Sequence, residues 1–318
     1  MPDWQPGAGL SQLRARAGLL AAIRRFFAER DILEVETPLL CGSGITDPAI
    51  EPLIVAAGDS LSAQRYLQTS PEYAMKRLLA AGSGPIYQVA RAFRDGEAGA
   101  RHNPEFSLLE WYRPGFDHHA LMAEVAALVC ACLGERPWRK LSYRELFRQG
   151  LGLDPFEVDA GELERVARGR HDLGNLEGDR DFWLDLLLTH DLEPWLAGQG
   201  LCFVYDYPAS QAALAQIVDH DGVEVGQRFE LYIDGVELAN GYHELTDAAE
   251  QRARFEADNA RRLARGQPAR PLDEYLLAAL AAGMPACSGV ALGVDRLLML
   301  ACGEADIRRV LAFSWERS

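Results

Sequence analysis

The sequence lacks both a secretion signal and a membrane-spanning segment. It opens MPDWQPGAGL, with no basic residue ahead of an apolar core. No later run approaches the roughly 18 apolar residues that a membrane helix needs. We therefore expect a cytoplasmic protein without a membrane partner.

Positive charge is also scarce. Lysine and arginine together number 32, against 47 aspartates and glutamates, which gives a formal net charge of −15. A chain with this balance repels phosphate backbones at long range. We therefore expect no nucleic-acid partner, tRNA included.

Disulfide and metal motifs are missing as well. The six cysteines include no CxxC pair, and in a chain of 318 residues without a signal peptide we expect reduced thiols. The seven histidines show no metal-ligand spacing. His243-Glu244 resembles the start of the zinc motif HExxH, but Asp247 stands at the position of the second histidine. The sequence therefore predicts no zinc site.

What the chain does contain is a succession of alternating and amphipathic segments. A hydrophobic content of 48% over 318 residues is enough for a full core. Short helical patterns dominate the range of about 135–200, so we predict one domain, 1–318, with a helical insertion there. The hairpin signals elsewhere predict an α+β fold with a mostly antiparallel sheet and helices packed on it.

The stretch from Ala92 to Arg113 (AFRDGEAGARHNPEFSLLEWYR) predicts two strands joined by a glycine-rich loop. In the second strand, Phe106, Leu108 and Glu110 share one face. A carboxylate on an apolar face requires a partner, because an unpaired buried charge costs several kcal/mol. Glu110 therefore indicates either an ordinary salt bridge or a functional site.

A helix start near Ser70 brings in a second carboxylate. Ser70, Pro71 and Glu72 follow the usual order of N-cap, first-turn proline and first-turn acid. Taken alone, this pattern favours helix capping. The alternative is that Glu72 binds the ammonium group of a ligand.

A hairpin near residue 234 brings two further carboxylates together. Asp234-Gly235 lies between two β-rich runs and predicts a tight turn. The turn would pair Tyr232 with Glu237 and leave Glu230 diagonally close to Glu237. Two such carboxylates suit Mg²⁺, and a solvated polar face is an equal alternative.

The last strong pattern, CSGVALGVDRLLMLACG, predicts a strand that runs into a helix. Gly289 and Gly293 would allow the backbone to approach a ligand closely. Arg296 lies in the first turn of the helix, where a buried guanidinium group needs an anion. This end of the chain therefore predicts an anion-binding site.

Taken in order, these segments resemble the catalytic domain of class II aminoacyl-tRNA synthetases, most closely the lysine branch. VETPLL resembles the first signature of that family, FR…RHNPEF…EWY the second and GVALGVDR the third. TSPE and ELANG…HELTD are similar to the lysine branch in particular. The resemblance covers nearly the whole chain, and it implies an α+β catalytic domain that dimerises through its first signature.

The resemblance also implies an ATP site with two catalytic arginines. Arg94 would hold the α-phosphate and Arg296 the distal phosphates, while Glu230 and Glu237 would bind Mg²⁺. Phe106 would stack on the adenine. The other residues that would contact ATP are Asp95, Gly96, His102, Asn103, Glu237, Leu238 and Gly293.

The substrate that the resemblance implies is lysine or an isomer of lysine. Ser70 and Glu72 would face the amino group next to the substrate carboxylate, and Tyr112 and Glu244 would receive the distal ammonium. The other residues that would line the substrate site are Pro71, Asn240 and Ala291.

Two departures from the tRNA synthetases narrow the expected function. About ten residues precede the first predicted helix, where lysyl-tRNA synthetases carry an anticodon-binding barrel. The same truncation marks synthetase-like ligases that attach (R)-β-lysine to a lysine side chain of elongation factor P, and CSGVALGVDR resembles that group. Ala291 replaces the usual glycine, and an added methyl is worth roughly 1 to 3 kcal/mol of discrimination, here against α-lysine.

We therefore expect ATP-dependent ligation of (R)-β-lysine, or lysine, to elongation factor P. One alternative is a minimal lysyl-type synthetase or small-molecule ligase. The other is a non-catalytic, synthetase-like regulator. A third departure concerns ATP: Gly96 stands where the second signature usually has glutamate, so either Glu97 substitutes after a local shift of the loop or one adenine contact is missing.

Overall fold

A large β-sheet forms the centre of the structure, a computed structural model that describes residues 4–56, 58 and 63–318. The strands are β1 (Leu33–Glu34), β2 (Leu40–Cys41), β3 (Ile54–Val55), β4 (Arg65–Leu67), β5 (Ile86–Phe93), β6 (Glu105–Pro114), β7 (Trp138–Ser142), β8 (Leu201–Pro208), β9 (Ile217–His220), β10 (Val223–Ile233), β11 (Val236–His243) and β12 (Cys287–Gly293). Nine of them form one sheet in the order β1-β5-β6-β12-β11-β10-β8-β7, with β9 paired to β10. Strands β2, β4 and β3 form a second, smaller sheet.

Most neighbours in the large sheet run antiparallel. The β1–β5 and β7–β8 pairs are parallel, and the pairs between them along the sheet are antiparallel. Helices from both ends of the chain cover the sheet. The predicted α+β class with a mostly antiparallel sheet is therefore confirmed.

Ten α-helices are present in the described part of the chain. They are α1 (Leu10–Ala28), α2 (Glu72–Ala80), α3 (His118–Leu133), α4 (Tyr143–Leu151), α5 (Ala160–Arg170), α6 (Arg180–Leu187), α7 (Glu193–Leu196), α8 (Ala248–Ala264), α9 (Glu274–Gly283) and α10 (Val294–Cys302). A five-residue π-helical segment, Leu188–Leu192, joins α6 to α7. Within the described ranges, no helix has both the length and the apolar content to cross a bilayer.

Strand β6 separates the main core from a cleft. Leu109 and Trp111 point into the core, which α1, α3 and α10 cover. The ring of Phe27 on α1 stacks on Tyr87 with centroids 4.2 Å apart and meets Trp111 edge-on. The alternate β6 residues, Phe106 to Tyr112, line the cleft on the other face of the sheet. The predicted alternation along this strand is confirmed, and it presents Glu110 to the cleft.

The β10–β11 hairpin has the predicted register. Tyr232 pairs with Glu237, and the turn residue Asp234 adopts a positive φ of 51°. A bulge between Leu231 and Tyr232 shifts the register beyond the turn, so that Glu230 lies opposite Asn240. The turn chemistry thus places Glu237 at the head of the cleft, diagonal to Glu230.

Residues 135–200 contain one strand and four helices. Strand β7 extends the large sheet, pairing with β8. Helices α4 to α7 pack with β8 and Tyr232 in a second apolar cluster that includes Trp183 and Phe147. That this range is an insertion into a single domain stays a prediction.

Candidate active site

The cleft on the open face of the sheet has a volume of about 850 Å³ and collects most of the predicted site residues. The predicted residues that line it are Ser70, Glu72, Arg94, His102, Asn103, Phe106, Tyr112, Glu237, Leu238, Asn240, Glu244, Ala291, Gly293 and Arg296. Four others, Pro71, Asp95, Gly96 and Glu230, lie outside its wall. Residues separated by more than 200 positions therefore face one space.

One end of the cleft is acidic. Glu244, at the end of β11, and Glu72, in the first turn of α2, each lie 2.6 Å from the ammonium nitrogen of Lys76. Lys76 and Glu244 are buried, and Glu72 keeps 15% of its side chain exposed. Burial raises the pKa of Glu244 to about 7 against the opposing attraction of Lys76. Two predicted substrate carboxylates thus share one protein cation.

Lys76 was missed by the sequence reasoning. Its spacing of four residues from Glu72 is that of a common surface ion pair on a helix, which gave no reason to place it in a site. Burial would lower the pKa of Lys76, but Glu244 and Glu72 outweigh it and hold the pKa above its usual range. The lysine is therefore a fixed positive charge in the site.

A third carboxylate, Glu110, completes the acidic end. Ser70 Oγ donates to Glu110 Oε1 at 2.5 Å, and Tyr112 OH donates to Oε2 at 3.4 Å. Ser70 Oγ also accepts from the backbone N–H of Glu72, but α2 begins at Glu72 with Pro71 as its N-cap, so the predicted N-cap position of Ser70 is wrong by one residue. Burial, followed by repulsion from Glu72, raises the pKa of Glu110 to about 8. The raised pKa of Glu110 therefore comes first from its burial and then from its closeness to Glu72 and Glu244.

Gly289 on β12 shapes the floor between these groups. A Cβ added there would overlap the Tyr112 ring and lie 2.5 Å from Glu244 Oε1. At Gly293 an added Cβ would meet only Arg296, at an ordinary 3.7 Å. At Gly289 a side chain is therefore excluded by Tyr112 and Glu244 of the protein itself, whereas at Gly293 no protein group excludes one.

The other end of the cleft carries the two predicted catalytic arginines. The Arg94 guanidinium lies 5.1 Å from the ring centroid of Phe106, and its Nε has no hydrogen-bond partner in the described chain. Glu97 also lines the cleft, with Oε1 3.6 Å from Arg94 Nη1. Arg94 therefore lies beside Phe106, the residue predicted to stack on adenine, and its Nε–H group is available to a ligand.

The loop after Arg94 explains the unusual glycine. Gly96 has a φ of +77°, a conformation in which a glutamate would be strained. The backbone N–H of Asp95 donates to Glu51 O at 2.7 Å, and Asp95 Oδ1 accepts from Gly96 N. These contacts fix Asp95 and Gly96 outside the cleft wall, while Glu97 enters it. The arrangement favours the alternative in which Glu97 substitutes for the usual glutamate.

Arg296 is paired with Glu237 and His102. Its Nη1 donates to the backbone carbonyl of Glu237 at 2.7 Å and lies 3.3 Å from Glu237 Oε2. Its Nη2 donates to His102 Nε2 at 2.7 Å. Burial, and then the nearby Arg296 charge, lower the pKa of His102, so the ring accepts this bond as a neutral base. Arg296 is thus held by an anion and a neutral acceptor.

Asn103 holds two backbone segments together through its side-chain amide. Its Nδ2 donates to Glu105 O at 2.6 Å, and its Oδ1 accepts from the backbone N–H of Trp315 at 3.0 Å. Both ends of the amide therefore bind backbone groups. Asn103 lines the cleft and at the same time ties the loop to the C-terminal segment.

Glu230 is held by protein donors on both oxygens. Oε1 accepts from Arg228 at 2.5 Å, and Oε2 accepts from Tyr207 at 2.7 Å and Tyr232 at 2.5 Å. Asn240 joins this network by accepting from Arg228 Nε and donating to Tyr242 OH. These hydrogen bonds give Glu230 a structural role between β8 and β10, which the sequence alone did not suggest.

Glu237 is the residue of the cleft that could bind a divalent cation. The Glu237 carboxylate pairs with Arg296 through Oε2, and burial together with repulsion from Glu230 raises the pKa of that carboxyl. Among residues 4–56, 58 and 63–318, no three His, Cys, Asp or Glu side chains form a metal cluster. One available carboxylate is consistent with Mg²⁺, which takes one or two carboxylates and completes its shell with water and phosphate.

Comparison with known proteins identifies the family of this chain. The family described as tRNA synthetases class II (D, K and N) matches residues 8–317. The chain is 51% identical to a protein of Salmonella paratyphi B named elongation factor P–(R)-β-lysine ligase, over 99% of this chain and 98% of that protein. Proteins of the same name from Salmonella enteritidis PT4 and Salmonella typhimurium show the same identity and coverage. The chain therefore belongs to the class II tRNA synthetase family of the D, K and N type.

Proposed function

We propose that this chain activates (R)-β-lysine with ATP and transfers it to a lysine side chain of elongation factor P. The observation that carries the proposal is the division of one cleft into an acidic end, with Glu72, Glu110 and Glu244, and a basic end, with Arg94 and Arg296. An amino acid with two ammonium groups suits the first, and a nucleotide phosphate suits the second. The names of the relatives with 51% identity support (R)-β-lysine and elongation factor P as the two groups that are joined.

The first step needs positioning rather than proton transfer. An oxygen of the substrate carboxylate attacks the α-phosphorus of ATP, the bond to the bridging oxygen of the β-phosphate breaks, and pyrophosphate leaves. The carboxylate is ionised near pH 7, so no general base is required. Arg94 and Arg296 would neutralise the phosphate charge that shifts in this step.

In the second step, the ε-amino group of the acceptor lysine attacks the carbonyl of the adenylate. The new amide bond forms as the mixed anhydride breaks, the attacking nitrogen releases a proton to solvent, and AMP leaves. The acceptor must arrive without its ammonium proton. An adenylate held with its carbonyl between the acidic and basic ends would face the open side of the cleft, where a protein loop can approach.

Magnesium would be held by Glu237, with Glu230 supporting the strand behind it. The ion, when bound with ATP, supplies further neutralisation of phosphate charge. In the protein itself, Arg296 and Glu237 are paired, so the arrival of phosphate and cation would replace that ion pair by two ligand contacts.

The two glutamates should respond differently to substitution. Glu237→Gln should raise the Mg²⁺ concentration for half-maximal ATP–pyrophosphate exchange by about 10- to 100-fold. Glu230→Ala should instead lower the free energy of unfolding by about 3 kcal/mol, because Arg228 loses the carboxylate that Tyr207 and Tyr232 also bind. Exchange assays and urea unfolding measure the two effects.

The exposed Glu224 on the same strand provides a control, since Glu224→Ala should change neither quantity. A Glu230→Ala variant that unfolds like the parent but needs more Mg²⁺ would restore the metal-ligand role for Glu230.

Ala291 should contribute to the choice of isomer. It lines the cleft and pairs with Glu110 on one side and Asn240 on the other, so its methyl lies among the proposed substrate contacts. Ala291→Gly should reduce the preference in kcat/KM for (R)-β-lysine over α-lysine by roughly 10- to 200-fold. Exchange assays with both isomers give the ratio. An unchanged ratio would place the determinant of isomer choice elsewhere.

We also propose a homodimer in the cytoplasm. Leu33, Leu40 and Ile54, from the two sheets near the first signature, are exposed apolar side chains that a second copy would cover. Analytical ultracentrifugation measures the assembly, and a monomer at micromolar concentration would contradict it.

The main test uses ATP, labelled (R)-β-lysine and purified elongation factor P. Label should appear on the factor only when enzyme and ATP are both present, and a factor whose acceptor lysine is replaced by arginine should stay unlabelled. Label on tRNA alone would favour the minimal synthetase. The absence of pyrophosphate exchange with every lysine isomer would favour the non-catalytic regulator.

A further inference from the structure

The buried ammonium of Lys76 stands out because lysine is so rare in this chain. The sequence has two lysines and thirty arginines, and Lys76 is the one that is buried. Its nitrogen lies 2.6 Å from Glu72 Oε1 and 2.6 Å from Glu244 Oε2. The other buried cations, such as Arg262 and Arg270, pair with Glu51, outside the acidic end of the cleft.

The surroundings of Lys76 are otherwise apolar. Met75 and Leu79 on the same helix belong to an apolar cluster with Leu276 and Leu280 of α9. A buried ammonium is costly in such surroundings unless it is paired. An apolar side chain would fill this space without that cost, so packing alone does not account for a lysine here.

The ammonium of Lys76 pairs with Oε1 of Glu72 and with Oε2 of Glu244. Glu72 Oε2 is bound to no other described side chain, and the Glu244 carboxylate also accepts a hydrogen bond from the Gly289 backbone. Both residues line the cleft. Lys76 therefore sets the distance between two carboxylates that both face the substrate space.

The charge of the acidic end follows from the same contacts. Glu72, Glu110 and Glu244 carry three carboxylates, and the ammonium of Lys76 balances one of them. Because burial raises the pKa of Glu110 to about 8, that carboxyl is mostly protonated near pH 7, and the negative charge of this end resides mainly on the two carboxylates that Lys76 holds. Without Lys76, the carboxylates of Glu72 and Glu244 would repel each other in a buried space, and one of them would take up a proton.

We infer that Lys76 is a positioning residue that sets the spacing and charge of Glu72 and Glu244, and through them selects amino acids with two ammonium groups. The inference rests on the proposed function, because it assigns a cause to the substrate preference of that site. A compact ammonium fits between two carboxylates, whereas the planar fork of arginine would spread them.

The test compares Lys76→Met, Lys76→Arg and wild type in ATP–pyrophosphate exchange. With Lys76→Met, we expect the KM for (R)-β-lysine to rise by about 10- to 100-fold, the loss typical of a charged contact. The KM for ATP should stay within about twofold, because Arg94 and Arg296 do not contact Lys76. Lys76→Arg restores the charge but not the spacing, so its KM for the amino acid should lie between the other two.

Two further readouts separate positioning from simple structural support. The preference for lysine over norleucine, which lacks the distal ammonium, should fall in Lys76→Met by about the same factor as the KM rises. The pH at which 1/KM for the amino acid reaches half of its high-pH limit should move upward, because the unpaired carboxylates would hold a proton to higher pH. Lys140→Met, at an exposed lysine, is the matched control and should resemble wild type in each assay.

The outcomes distinguish the inference from the proposed function. Wild-type enzyme without exchange on any lysine isomer would remove the proposed function and the inference with it. Normal wild-type exchange with an unchanged or lower amino-acid KM in Lys76→Met would overturn the inference alone. If Lys76→Met does not fold by circular dichroism, Lys76→Arg decides: a raised amino-acid KM with an unchanged ATP KM supports the inference, and wild-type values for both overturn it.

Discussion

Replacing Arg296 by alanine should lower the kcat/KM for ATP in pyrophosphate exchange by about 100- to 1,000-fold, the effect of removing one preorganised charged donor. In the ligand-free protein this guanidinium binds Glu237 and His102 at the head of the cleft. Both partners are polar groups that water can satisfy after the change, so the variant should fold. Exchange kinetics and the melting temperature together measure the outcome.

Arg309→Ala is the control for Arg296→Ala, because Arg309 is an exposed arginine outside the cleft wall. It should leave both the exchange rate and the melting temperature unchanged. Wild-type exchange in Arg296→Ala would refute the assignment of this residue to the phosphates. A large fall in melting temperature would instead indicate a structural role.

The second large effect is expected at Gly289. Gly289→Ala would drive a methyl into the Tyr112 ring and to 2.5 Å from Glu244 Oε1. Tyr112 is buried, so its ring can move only at the expense of the pocket. We expect the KM for the amino acid to rise by roughly 10- to 200-fold. The free energy of unfolding should fall by about 1 to 3 kcal/mol through overpacking.

Exchange kinetics and urea unfolding measure these two effects of Gly289→Ala. Gly169→Ala is the matched control, because Gly169 lies in α5 with open space around its Cα. That variant should be slightly more stable and equally active, since alanine is the better helix former. A normal amino-acid KM in Gly289→Ala would show that the substrate does not bind where Tyr112 and Glu244 meet.

Local sequence rules were sufficient wherever a pattern repeats within a few residues. The Asp234-Gly235 turn predicted the Tyr232–Glu237 pairing, and the alternation along β6 predicted that Glu110 shares a face with Phe106 and Leu108. Both follow from backbone geometry, which distant residues do not alter. The resemblance to a known family then supplied the residues of the cleft.

Contacts between distant segments were not predictable in the same way. Glu72 and Lys76 look like a solvated helix pair until β11 brings Glu244 against the same ammonium. Glu230 looks like a free carboxylate until β8 brings the hydroxyl of Tyr207 to it. In both cases a side chain from another element determines whether the charge is exposed or buried, and the sequence near the charge does not contain that information.

The pair between Arg296 and Glu237 has a consequence for affinity. A guanidinium in a narrow cleft loses much of its hydration, and the internal carboxylate replaces that hydration before any nucleotide arrives. ATP must therefore displace a resident anion, so its measured binding free energy is smaller than the free energy of its own contact with the arginine.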